Sequence, residues 1–496
     1  MCHSTCQPTS AAIPLTAAHL AALLPCSALL AQIAQSLLDF PAQPLTPAAV
    51  QELETGLQRL LREVGRTALE HTLNALEPAD PQQVPEELKV AGTHYRRREK
   101  SPRTVDSTFG SLRLCRWLYE PRTSGERCLF PLEHLLGLVA GCATPALADR
   151  VGRLVAQHPQ RDVLRLLRED NALRWSHALL RKVAAAVAAI VSGKRHAAQV
   201  KQVITWLRQA HQSTGPFEPV LAAGRDGIMM PLAHAESYKE ASVATLTVYD
   251  RSGRRLGTAY LGCVPEPLQE TLSRQLTALL QGVLAGWKGR RPRLAYLSDG
   301  GQTPEAYYQQ VLRKMMDPLR PGERLAWVRV LDYYHAAQYV SKLAEALFTE
   351  SWRATRWARR MRGVLKEWGG LTRVLQSASC HRNRQKLRGK RQEAFDGAYQ
   401  YLHKRRRHMN YAALKAQGMP IGSGVTEAGC KVVVSQRLKC SGMKWKKPGA
   451  QVVLDLRVVW LSGVWEQAWK AHLEEGVKMN LGTYAGCLAS NHAAAA

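Results

Sequence analysis

The spacing of apolar residues divides the chain into stretches of helical period and stretches of alternating period. From Thr46 to Leu76, the residues Val50, Leu53, Leu57, Leu60, Leu61 and Val64 recur at helical spacing, with Glu and Arg on the other side. That pattern predicts an amphipathic helix. Proline-rich joints at 41–47 and 78–85 punctuate a mainly helical region over residues 1–90. Between Thr93 and Pro131 the texture changes. Val105, Phe109, Leu112 and Leu114 sit among turn residues, and Arg116–Tyr119 continues an extended, aromatic-rich run. A small β element over 91–135 is expected. Residues 136–215 return to helical period in three runs, Thr144–Ala156, Asp162–Leu167 and Ser176–Val191. Three short helices, with Arg174, Arg181 and Lys182 on or beside the last, suit either a helix-turn-helix DNA-binding domain or a plain helical bundle.

Near Pro216 the pattern switches to strands. Leu221–Pro231 holds a short strand candidate interrupted by Gly224-Arg225-Asp226-Gly227. Ala241–Tyr249 and Arg255–Val264 are joined by Asp250-Arg251-Ser252-Gly253, a turn signal that predicts a hairpin. A helix follows at about Pro267–Leu284, then a fourth strand at Arg293–Leu297 running into Ser298-Asp299-Gly300-Gly301. Next come a helix at Pro304–Met315, a strand at Leu325–Leu331 and a helix from Tyr333 onward. This alternation predicts an α/β layer fold over 216–340, with helices packed on a mixed sheet. A helix-prone block at 341–418 interrupts it. A break at Gly422-Ser423-Gly424 then opens a helix carrying Glu427 within 419–475, with Ser423 as a candidate cap. Residues 476–496 read as a flexible tail.

Length and charge change the picture next. A chain of 496 residues exceeds one ordinary core and suggests about three folded units. The net charge of +28 requires a polyanionic partner, either nucleic acid or an anionic membrane surface. From Trp352 to Pro448 there are 24 lysines and arginines against four acids, an excess of 20 in about a fifth of the chain. Aromatic residues run through the same tract, among them Trp352 and Trp357, candidates to stack on unpaired bases. A tract this long fits a folded phosphate-binding surface better than a short lipid anchor. The Ala/Leu-rich stretch from Ala11 to Leu38 is broken by Pro14, Pro25 and His19 and fits neither a signal peptide nor a spanning helix. A soluble, cytoplasmic, nucleoid-associated protein without membrane contact is expected. The 11 cysteines include no C-x-x-C pair and predict reduced thiols rather than a zinc site.

Three carboxylates stand out against this background. Phosphodiester displacement is often served by two divalent cations about 3.5–4 Å apart, one at the attacking and one at the leaving oxygen. Hard oxygen ligands suit magnesium, and because it keeps several waters a few carboxylates suffice. Asp226 lies in the first strand region between two glycines, Asp299 ends the fourth strand, and Glu427 rides a late helix. Each alone has a bland reading: Asp-Gly is a common turn, and Glu427 could be a solvated partner of Lys431. Their joint order is what a ribonuclease-H-like metal site uses.

Asp332-Tyr333-Tyr334-His335, Pro420-Ile421-Gly422-Ser423-Gly424-Val425-Thr426-Glu427 and Arg437-Leu438-Lys439-Cys440-Ser441-Gly442-Met443-Lys444-Trp445 together resemble bacterial insertion-sequence transposases with a Mutator-like catalytic domain. The Asp226 and Asp299 stretches look like that family's two aspartate motifs. The resemblance covers roughly residues 90–470 and is strongest over 220–460. It implies a ribonuclease-H-like fold, with the basic block 341–418 as a helical insertion. It also implies two magnesium ions, with manganese as a substitute, on Asp226, Asp299 and Glu427. The implied chemistry is hydrolytic nicking at a transposon end, then attack of the exposed 3′-hydroxyl on target DNA. Asp332 and His335 read either as neighbours of that site, with His335 on a scissile phosphate, or as a helix cap and a packing residue. Arg405, Arg406, Arg407, Lys431, Arg437, Lys439, Lys444, Trp445, Lys446 and Lys447 are the expected DNA contacts, gripping phosphates without reading sequence. Double-stranded DNA is the implied partner, and synapsis of two ends calls for a homodimer or larger assembly. A nuclease or resolvase that cuts without joining, and an inactive DNA-binding relative, are the competing readings.

Overall fold

In the computed structural model, the structure describes residues 20, 23–123, 125–233, 238–476 and 481–495. Where the length suggests about three units, there are two. One takes residues up to 151, 160–186 and from 475 on, and the other takes 152–159 and 187–474.

The first unit contains α1 (Ser27–Asp39), α2 (Pro47–Ala75), β1 (Glu87–Val90), β2 (Thr93–Ser107), β3 (Gly110–Pro121) and α3 (Pro131–Leu135). The start of α2 follows from its sequence. Thr46 Oγ1 accepts from the Ala49 amide at 3.1 Å, and Pro47 stands where no amide is needed. The strands form an antiparallel sheet in the order β1-β2-β3, which begins at Glu87, inside the stretch expected to be helical. The exposed edge of β3 is not left open. The amides of Arg113, Cys115 and Trp117 donate to Glu70 Oε2 (2.8 Å) and Asn74 Oδ1 (2.8 Å) on α2 and to Glu77 Oε1 (2.6 Å) just past its end. Helical and strand periods match closely enough for one helix face to satisfy a sheet edge.

The tail corrects the expectation of flexibility. Residues Gly482–Ala495 are helical, and Leu481, Tyr484 and Leu488 are buried in the core formed with Tyr119, Trp117 and Leu132. Tyr484 donates its hydroxyl to Glu77 at 2.5 Å.

Three helices do follow, α4 (Pro145–Gln157), α5 (Gln160–Asn171) and α6 (His177–Gln212). The last is 36 residues long, not the short recognition helix that a helix-turn-helix reading pictured. Its Ala-rich sequence contains no proline to stop it.

The second unit is built on five strands: β4 (Val220–Met230), β5 (Lys239–Tyr249), β6 (Arg255–Cys263), β7 (Arg293–Ser298) and β8 (Trp327–Leu331). Their order is β6-β5-β4-β7-β8; the first three are antiparallel, and β4, β7 and β8 run parallel. The mixed α/β expectation holds. One difference is that β4 runs unbroken through Gly224 and Gly227, because pairing with β5 satisfies its backbone along its whole length.

Side-chain alternation explains the layers. Leu221 and Ala223 face a core with α6 and α7 (Glu270–Gly286). Val220 and Ala222 face the opposite core. That second core is built from α9 (Tyr333–Leu347), which follows α8 (Gln302–Gln310), and from the insertion helices α10 (Ser351–Val364), α11 (Gly370–Gln385), α12 (Gly389–Lys404) and α13 (Tyr411–Ala416). After the insertion come α14 (Gly424–Cys430), α15 (Lys447–Leu461) and α16 (Trp465–Glu475). Among the described residues no helix is long and apolar enough to cross a membrane.

Candidate active site

The pleat of β4 fixes where Asp226 points. Val220, Ala222, Gly224 and Asp226 share one face by period two. Gly224 on that face lies directly beneath Thr426 of α14, so closely that an added Cβ would stand 2.0 Å from Thr426 Oγ1. Thr245, the cross-strand partner of Gly224, bonds Thr426 hydroxyl to hydroxyl at 2.8 Å. The absence of a side chain at Gly224 is therefore what lets the Glu427 helix seat on the sheet, one pleat away from Asp226.

The parallel register aligns the other acids. Gly224 pairs with Leu297, and Ser298 pairs with Leu331. Continuing these registers sets Asp226, inside β4, level with Asp299 and Asp332, which directly follow the ends of β7 and β8, on strands about 4.8 Å apart. The Asp332 amide still donates to the Ser298 carbonyl at 3.1 Å. Asp226 and Asp299 line one cavity of about 430 Å³ with Glu240, Gln269, Gln302 and Thr303.

Electrostatics follow from this crowding. Burial, with the negative charge of Asp299 adding to it, pushes the Asp226 carboxyl up to about 6. The Gly227 amide (2.8 Å) and the Cys430 thiol oppose the rise by donating to it. Burial also raises the Glu427 carboxyl, helped by a hydrogen bond and charge from Asp332. Between these two acids sits Ser423. Its hydroxyl lies 3.0 Å from Glu427 Oε1 and also bonds Asp332 Oδ2. Ser423 does precede α14, but its side chain makes no cap bond there and serves the acid pair instead.

Asp332 does cap α9, accepting from the Tyr334 amide at 2.7 Å through its other oxygen. Asp332 is thus a helix cap that also shares Ser423 with Glu427. His335 is half-buried and packs edge-on against Tyr339 and Tyr401, at ring distances of 5.4 and 5.7 Å.

The donor set can be tested against a divalent ion. Asp226, Asp299 and Glu427 supply only hard oxygens, and the Asp226 carboxyl is raised chiefly by burial, with the Asp299 charge adding to it. Among the described residues no three Asp, Glu, His or Cys side chains are grouped closely enough to hold an ion on their own. Asp226 and Asp299 share the cavity, while Glu427 does not line it and is bonded to Ser423. Magnesium needs only one or two carboxylates with waters filling the rest, so the residues fit.

The basic residues divide sharply. Arg406, Arg407, Lys431, Lys439, Lys444, Lys446 and Lys447 are exposed. Arg437 is not. It is fully buried, and its Nε donates to the Val155 carbonyl at 3.1 Å, while Arg457 Nη1 donates to Ala156 at 2.7 Å. These are carbonyls of the last turn of α4, which lack helical partners and attract cations. Burial and the neighbouring Arg457 pull the Arg437 guanidinium down to about 10. Arg437 thus closes a helix end and cannot reach a phosphate. Trp445 is likewise buried, stacked beside Arg437 (5.5 Å) and donating to the Leu438 carbonyl at 3.0 Å. Arg405 is half-buried and donates to the Gly300 carbonyl at 3.1 Å. Trp357 is core, bonded to Ser377, whereas Trp352 is exposed.

Glu240 and Tyr401 are site neighbours that sequence spacing did not single out, and Ser423 was read only as a helix cap. Only Ser423 carried a signal, its position four residues before Glu427. No protein-family model matches this chain, and no curated protein matches it significantly.

Proposed function

We propose that this chain is a DNA transposase of the DDE type, cutting at transposon ends and joining the freed 3′-hydroxyls to target DNA. The observation that carries the reading is that Asp226 and Asp299 line one cavity, with Glu427 on a late helix near enough to feel the charge of Asp226. The strand order, with an antiparallel hairpin flanked by two parallel strands, supports a ribonuclease-H-like catalytic domain with residues 341–418 as its helical insertion.

Asp226 and Asp299 would hold divalent ions, magnesium or manganese, with Glu427 as the third ligand. Such ions, when bound, activate an attacking oxygen and neutralise charge on the leaving one. The chain's own residues do the rest. Ser423 and Asp332 hold the Glu427 carboxyl at the head of α14. Lys439, Lys444, Lys446 and Lys447, just beyond α14, would grip phosphates and set the register of the DNA. The exposed Arg406 and Arg407 would extend that grip. Because two ends must be held together for joining, two or more copies act in one assembly.

Strand cleavage and joining on labelled DNA tests the reading, with DNA carrying the ends of the element that encodes the chain and magnesium or manganese present. Joined products that vanish in Asp299→Ala and Glu427→Ala, with DNA binding retained, are expected. Cleavage without joining replaces the reading with a nuclease. Tight binding with neither cut nor join under any metal leaves a DNA-binding protein.

A further inference from the structure

Asp299 stands just past the last paired residue of β7, in a loop that the sheet itself does not hold. Its neighbour Gly300 has a φ of +82°, and its carboxylate receives one local bond, from the Gly301 amide at 2.8 Å. The carbonyls of residues 299 and 300 turn instead to the helical insertion. Tyr401 donates its hydroxyl to the Asp299 carbonyl at 2.6 Å, and Arg405 donates to the Gly300 carbonyl at 3.1 Å. The two donors are four residues apart, at the end of α12, and so share a helix face.

Their orientation is fixed by a four-layer stack. The Arg405 guanidinium lies 4.2 Å over the Tyr401 ring, which stacks on Tyr339 at 3.6 Å with the planes 2° apart. Lys342 closes the far side, 4.4 Å from the Tyr339 ring. Cations on the outer faces and parallel rings between them favour one arrangement. His335 meets both rings edge-on, so the same stack ties the start of α9 to the Asp299 loop.

We propose that Tyr401 and Arg405 are positioning residues that aim the Asp299 carboxylate, so that the basic insertion builds part of the metal site as well as offering charge to DNA. This rests on the reading of Asp299 as a metal ligand. The Tyr401 ring stabilises the insertion, whereas its hydroxyl adds only the bond to residue 299. Tyr401→Phe separates the two.

The test titrates Mn2+ alone into the full chain, without DNA, and reads binding by the ion's magnetic resonance signal, with a melting curve for each variant. Tyr401→Phe is expected to melt with the wild type and to bind Mn2+ about 10- to 100-fold more weakly, the usual cost of losing an outer-shell partner. In an Asp299→Asn background the same substitution is expected to change nothing further, since it acts only through that carboxylate. If Asp299→Asn weakens Mn2+ and Tyr401→Phe leaves wild-type affinity, the positioning role is overturned while the metal site stands. A lowered melting point with unchanged affinity assigns Tyr401 to stability alone and likewise overturns it. If Asp299→Asn leaves Mn2+ binding unchanged, or the wild type binds none, the metal-ligand reading falls and the positioning role falls with it.

Discussion

Asp226 and Asp299 stand level on neighbouring strands and line the same cavity, yet they are held in different ways. Asp226 belongs to β4, paired with β5 from Val220 to Met230 and covered on one face by α14 and on the other by α7. Its opposite-face neighbour Arg225 is buried, donating to Ser273 at 3.0 Å and Gln269 at 2.9 Å. Moving Asp226 means moving the sheet. Asp299 has left its strand, and tyrosine and arginine donors from about a hundred residues downstream fix its backbone. One acid is placed by the core, the other by a graft onto it. Changes to the packing under the first should therefore cost the fold, and changes near the second should cost the site.

The largest effect is expected from Gly224→Ala. The new Cβ would meet Thr426 Oγ1 at 2.0 Å, Thr245 Oγ1 at 3.0 Å and Thr426 Cβ at 3.2 Å. Rotating the hydroxyl away breaks the Thr245–Thr426 bond and still leaves the Cβ contact. Overpacking of this kind costs about 2–3 kcal/mol, read as a shift of the denaturant midpoint at constant slope. Thr426→Ala in the same chain should recover part of the loss. If Gly224→Ala melts with the wild type, the close seating of α14 on β4 is wrong.

That seating was only half legible in the sequence. The two aspartates and Glu427 stood out by their order, and the hairpin, the fourth strand and α9 follow from alternation and turn residues. Nothing local, however, distinguishes Gly224 as a seat for Thr426, 202 residues away in sequence. The fates of the basic residues were hidden for a related reason. Lys439 and Arg437 look alike in a charged stretch, but a planar guanidinium can satisfy helix-end carbonyls inside a core, whereas a compact ammonium is more strongly hydrated. Only the placement of Val155 and Ala156 shows which was needed. The last helix is a different case. Leu481, Tyr484 and Leu488 sit at helical spacing, but small residues flank them, so the stripe is too sparse to read without the core it fills.

A second, smaller effect probes the sheet-held acid directly. The Asp226 carboxyl titrates at about 6 in the fold, above its ordinary range near 4. Ionisation then opposes folding: the penalty is full above about pH 6 and fades as pH falls toward 4. In metal-free solution at pH 7.5, Asp226→Asn should stabilise the chain by about 1–2 kcal/mol, less than the full shift because the residue is only half-buried. The gain should shrink steadily between pH 6 and pH 4 while catalytic activity stays abolished throughout. A destabilised Asp226→Asn at pH 7.5 would mean that the carboxylate contributes to the core instead of straining it.

The smallest effect on the fold, and the sharpest test of the contrast, is expected at Gly300. A left-handed φ of +82° costs a residue with a side chain about 1 kcal/mol. The added Cβ would stand 2.7 Å from Cδ1 of the buried Leu331 and 2.9 Å from Nε of Arg405, and of the two the half-buried Arg405 is the one free to shift. Gly300→Ala should therefore lower stability by only about 1 kcal/mol, well below Gly224→Ala. The shift that relieves the clash, however, is the withdrawal of Arg405 from the Gly300 carbonyl, which loosens the loop bearing Asp299. Strand cleavage should fall out of proportion to stability, and raising the magnesium concentration should restore part of it, because a misaimed ligand weakens ion binding before it abolishes it. Adding Tyr401→Phe should then cost less than it does in the wild type, since both changes release the same loop. Equal losses of stability at Gly224 and Gly300, with cleavage falling in step at both, would erase the distinction between an acid placed by the sheet and one placed by the insertion.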